Sequence, residues 1–174
     1  FFTTLCLVAQ DLSLSLQKPE RISADAKLAE WSAITPATGA AFGSTNQRYA
    51  SDRCVANQLH SADTLVAWRG ERVHSQLLIW SADKSRNFKV SVSDFNMGTS
   101  GSIGNEHIQV GIVGYTTTDE FNPGCGHRKP QDFDSFQVAD IIHTGKPQGI
   151  VAANSVQPVW ISIQVPAAAT PGYY

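Results

Sequence analysis

Charge is scarce in this chain. Only 16% of its 174 residues are Asp, Glu, Lys or Arg, and the formal net charge is −2. The 13 Lys and Arg residues form no run, which excludes the clustered basic surface that nucleic-acid binding needs. Long apolar stretches are missing too, so no segment reads as a membrane span. There is no phosphate loop, no GxGxxG opening a helix and no Ser or Cys in a strained Gly-flanked elbow, which leaves nothing that would hold a nucleotide or attack an acyl group. No cofactor is therefore assigned. Cysteine is limited to Cys6, Cys54 and Cys125. A Cys54–Cys125 disulfide is permitted in an exported protein, but spacing alone does not show one.

The two ends stand apart from the rest. Phe1 to Ala9 (FFTTLCLVA) carries no charge and gives way at once to Gln10 and Asp11. That is the length and polarity of the core of a secretory signal, far short of a membrane span. Residues 1–9 are accordingly expected to be a signal remnant on an exported protein, periplasmic or extracellular. Residues 10–174 are expected to form one domain, a length ample for a hydrophobic core. VPAAATPGYY closes on a Pro-Gly turn with no returning strand, so the domain is expected to be cut at its C-terminal strand.

Between the ends the dominant period is two. Val73, Ser75, Leu77 and Ile79 alternate with His74, Gln76, Leu78 and Trp80. Phe88, Val90 and Val92 alternate with Lys89, Ser91 and Ser93, and Ile108, Val110 and Ile112 with Gln109, Gly111 and Val113. Val159, Ile161, Ile163 and Val165 are offset against Trp160, Ser162 and Gln164. Such runs read as strands, separated by turn signals at Arg69-Gly70, Ala82 to Lys84, Met97 to Gly104 and Thr144 to Gln148. Only Asp25 to Ile34 reads as helix, with Leu28 and Trp31 on one face and Ser23 as its cap. The pattern predicts an all-β fold, an antiparallel β-sandwich with one short helix and long loops.

Most of the site-like chemistry lies in one segment, Tyr115 to Asp140 (YTTTDEFNPGCGHRKPQDFDSFQVAD). It is too long for a plain hairpin connection, and long loops in compact domains are usually functional or disordered. Asp119 and Glu120 are the tempting pair, because glycoside cleavage employs two carboxylates. Adjacent side chains of an extended segment point to opposite faces, however, so a solvated loop edge is the plainer reading. Cys125 and His127 offer two ligands where structural zinc generally wants four; no metal is assigned. Arg128 could pair with Asp132 or Asp134, or reach a partner domain. Asp119, Glu120, Cys125, His127 and Arg128 are thus read as an interdomain or substrate-cleft loop, with no catalytic residue among them. Trp68 and Trp80 are candidates for an aromatic sugar platform, against their commoner use in core packing.

The segments EWSAI, AAFGSTNQRYA, TLVAWRGERVHSQLLIWS, VSVSDF, YTTTDEFNPGCGHRKPQDFDS, VADII and QPVWISIQVPAAATPGYY follow one another in the chain. Together they resemble the N-terminal β-sandwich of family 123 glycoside hydrolases, with FGSTNQRY and GCGHRKP the most specific parts. The resemblance implies an exo-β-N-acetylgalactosaminidase as the parent, in which the substrate's own 2-acetamido group acts as nucleophile. A consecutive Asp-Glu pair would assist it: the Asp orients the amide and the Glu serves as acid and base. That pair belongs to a (β/α)8 barrel following this domain, so Asp119 and Glu120 do not take the role. The implied partners are the downstream barrel and, through it, a glycan or glycolipid substrate, with the Cys125 loop at or near the apolar patch where the barrel docks. The alternative is a stand-alone carbohydrate-binding module, which would need Trp68, Trp80 or Trp160 exposed on one sheet face.

Overall fold

The computed structural model describes residues 21–55, 59–118 and 136–174. Its single α-helix, α1 (Ala24–Ser32), starts where Ser23 accepts a hydrogen bond from the Ala26 amide through its hydroxyl, satisfying one of the free first-turn donors. Trp31 is buried and its indole N–H donates to the Asp52 carbonyl at 3.2 Å. Arg53 holds both carboxylate oxygens of Glu30, and Lys27 pairs with Asp52. These contacts lay the helix against residues 49–55. Leu28, expected beside Trp31 on the buried face, is instead 55% exposed.

Apart from a 3-10 turn at Asn105–His107, the other described elements are strands: β1 (Thr38–Gly43), β2 (Arg72–Ser81), β3 (Arg86–Lys89), β4 (Phe95–Asn96), β5 (Ser102–Ile103), β6 (Ile108–Thr118), β7 (Phe136–Thr144), β8 (Gln148–Val151) and β9 (Ser155–Gln164). The main sheet is five-stranded and antiparallel, in the order β1-β2-β9-β6-β7. β3 pairs with β8, and β4 with β5. The expected all-β sandwich-like architecture is what the chain adopts, with the apolar runs around Val73 and Val159 as neighbours: Val73 pairs with Ile163 and Leu77 with Val159.

Both faces of β2 are used. Ile79 and Val159 pack with Val151, and Leu77, Phe88 and Val110 close around them, so the β3–β8 pair covers this face. On the other face Leu78, Trp80 and Val156 join Trp31, Ile34, Tyr49 and Val55. Apolar side chains on both faces explain why β2 reads as a nearly continuous apolar run toward its end. Cys54 is half-buried at the rim of this second cluster.

The expected loop from Tyr115 to Asp140 is shorter than its composition suggests. Tyr115 to Thr118 continue β6, and Phe136 to Asp140 belong to β7. Thr residues and β-branched neighbours suit a pleated surface despite their polarity.

Candidate functional site

The cover over the helix-side face stops short of the whole sheet. Beyond Leu78 along β2 lies a cavity of about 270 Å³, floored by Gln76, Trp160 of β9, Val113 of β6 and Ile142 of β7. The register brings the floor together: Gln76 stands opposite Trp160, Trp160 opposite Gly111, and Val113 opposite Ile142.

One wall is the turn after β1. Ser44 donates its amide to the Tyr49 hydroxyl at 2.8 Å, while its own hydroxyl accepts from the Asn46 amide at 3.2 Å. Tyr49 is buried, and its ring comes so close to Gly43 that an added Cβ would sit 2.6 Å from its oxygen. Glycine is therefore needed here for a close approach. The FGSTNQRY segment thus folds on itself and presents Asn46, Gln47 and Arg48 to the cavity.

The opposite wall comes from a β-bulge. Gly114 pairs with Ile141 and Tyr115 with Ala139, which leaves Asp140 as the extra residue of β7. Bulges re-aim side chains and are common beside sites, and Asp140 lines the cavity. Tyr115 next to it is not an acid or base: burial, then the Asp52 charge, pushes its phenol well above the usual value. It stays neutral and donates to the Val156 carbonyl at 3.2 Å.

Two features fix the floor. The Trp160 indole N–H donates to His74 Nδ1 at 3.1 Å, and the Ser162 hydroxyl lies 3.0 Å from the same nitrogen. An indole N–H can only donate, so Nδ1 carries the lone pair and the His74 ring proton resides on Nε2. Gln76 is 3% exposed, and its Oε1 has no hydrogen-bond partner among the described residues. A buried acceptor left unpaired costs about 1–3 kcal/mol, which the sheet around it must offset.

Asp119, Glu120, Cys125, His127 and Arg128 lie outside the described residues, and so does the Cys125 side of the disulfide question. The strands flanking them, ending at Thr118 and resuming at Phe136, meet at the end of the sheet away from the start of β2. Trp68 and Trp80 do not form a platform. Trp68 is 83% exposed in the turn before β2. Trp80 is buried near the far end of that strand, its N–H donating to the Pro36 carbonyl at 3.0 Å. It points to the helix side because it shares a face with Leu78, where Trp31 and Tyr49 are waiting. The charged WRGER turn has a structural use: Glu71 accepts from the Trp68 amide and Arg72 donates to Gln164. Among the described residues no three His, Cys, Asp or Glu side chains gather as a metal site would require.

Sequence reasoning missed Gln76, Asn46 and Asp140. The one available signal was Gln76 itself, a polar residue in mid-strand between Ser75 and Leu77-Leu78.

Comparison with known proteins bears on most of the chain. The family model described as the glycoside hydrolase 123 N-terminal domain matches residues 42–174. A solved structure with the same fold is a family 123 glycoside hydrolase from Clostridium perfringens, studied for the details of glycolipid glycan hydrolysis. The two share 24% identity at a TM-score of 0.63, over 78% of this chain and 23% of that one. This chain therefore spans under a quarter of that protein's length. No curated protein matches it.

Proposed function

Because the chain belongs to the glycoside hydrolase 123 N-terminal domain family, we propose that it is the non-catalytic accessory sandwich of a glycan-cleaving enzyme. In this reading a catalytic (β/α)8 barrel follows it in the parent polypeptide and packs against it. The parent is proposed to act as an exo-β-N-acetylgalactosaminidase on a glycan or glycolipid, with the substrate's acetamido group as nucleophile. Export is part of the proposal and rests on the apolar character of Phe1 to Ala9.

The observation that carries the reading is the family match over 42–174. A surface feature supports the packing. Val66, Trp68 and Tyr173 are each more than four-fifths exposed, a poor use of large apolar side chains unless something covers them. Trp68 and the strand leaving toward Tyr173 share one end of the sheet, where Gly70 donates its amide to the Val165 carbonyl and Val165 donates to Glu71.

Hydrogen exchange on this chain and on the longer polypeptide of its gene tests the packing. Amides 65–68 are expected to gain protection in the longer protein. Equal exchange there, or a gene that stops at Tyr174, would overturn the proposal.

A further inference from the structure

We infer that the cavity floored by Gln76 and Trp160 is a binding site for a single neutral sugar ring. The sugar class rests on the glycan reading above; that a neutral polar ring fits rests on the cavity alone.

Its lining mixes two kinds of surface. Asn46, Gln47 and Gln76 bring carboxamides, while Trp160, Val113 and Ile142 bring apolar area. A sugar ring has the same two aspects, hydroxyls around its edge and C–H groups on its faces, and aromatic rings take the latter. Arg48 and Asp140, one cation and one anion, both line the cavity. Among the described lining residues these charges balance, leaving no surplus to select a phosphate or a carboxylate. Its 270 Å³ falls just below the usual span of small-molecule pockets, which suits one ring.

The second observation is Gln76 Oε1. It is a buried acceptor with no partner among the described residues, on a side chain that lines the cavity floor. Buried polar groups in native structures are nearly always paired, so an unpaired one in a cavity wall points to a donor supplied from outside. A sugar hydroxyl is such a donor, reached by a turn of the terminal amide. Trp160 is ready for the ring: its N–H is held by His74, so the indole does not have to be ordered on binding.

The test is a titration of the purified, isotope-labelled chain with N-acetylgalactosamine, galactose and, as a control polyol, glycerol, followed by NMR at the Trp160 indole N–H and the Gln76 side-chain amide. Saturable shifts with the sugars and none with glycerol are expected, at a Kd on the order of 1 mM for a ligand this small. Gln76→Leu is expected to weaken binding at least tenfold without lowering Tm, because it deletes an acceptor that had no partner. Asn46→Ala, in an exposed turn, gives the same answer should the core variant not fold. No saturable shift, or undiminished affinity in Asn46→Ala, would overturn the site. Protection at 65–68 in the longer polypeptide is read independently, so either proposal can fail while the other stands.

Discussion

Trp160 and His74 are locked to one another across the middle of the sheet: the indole N–H reaches Nδ1 at 3.1 Å, with the ring centroids 5.4 Å apart and tilted by 37°. Two neighbouring strands, β9 and β2, are thereby tied by side chains as well as by their backbones. The same bond holds the indole that floors the cavity.

Replacing Trp160 by Phe keeps a ring and removes the N–H. His74 Nδ1 retains the Ser162 hydroxyl as a partner, so no buried nitrogen is stranded. A loss of about 1 kcal/mol is expected, the ordinary net worth of one hydrogen bond. Urea unfolding measures it; an unchanged midpoint would mean the contact contributes nothing.

Gly39 lies under Trp80. A Cβ built there would stand 2.3 Å from the indole ring, and Trp80 is buried with little room to retreat. Gly39→Ala is therefore expected to cost about 1–3 kcal/mol through overpacking. Gly70→Ala is the comparison, since nothing lies within 4 Å of its Cβ and only its φ of +83° resists the change. That costs about 1 kcal/mol. Thermal melts of the two variants should rank Gly39→Ala as the less stable.

Asp83 contributes a small acid-sensitive part of the stability. Its hydrogen bond from Arg86, opposed by burial and joined by one from Ser81, lowers its pKa from 3.8 to about 2. A carboxylate with a depressed folded pKa contributes stability above its unfolded pKa, lost as pH falls through the folded one. Stability should therefore decline between about pH 4 and pH 2, and Asp83→Asn should flatten that part of the profile. Denaturant midpoints taken across the window check it; the same slope in both proteins would refute the assignment.

Much of the fold is legible along the chain. The alternation around Val73 to Trp80 and Val159 to Gln164 marks two strands that turn out to be partners, and Ser23 marks the helix start. β1 was not legible, because Thr38-Gly39-Ala40-Ala41 has the small residues that strands usually avoid. Its strand state comes from pairing along β2, and Gly39 stands where Trp80 leaves no room for a side chain. The polar Thr116 to Thr118 likewise hid the stem of β6. The cavity was hidden for a different reason. Asn46, Gln76, Val113, Asp140 and Trp160 are far apart in sequence and meet only through the order β2-β9-β6-β7, which no local pattern specifies. A lone Gln in an apolar strand was the sole hint.

The most direct test of the central claim is hydrolysis of an aryl β-N-acetylgalactosaminide, assayed side by side with this chain and with the longer polypeptide of its gene. Turnover is expected from the longer protein and none from residues 1–174. Turnover by this chain alone, abolished by Asp119→Asn or Glu120→Gln, would contradict it.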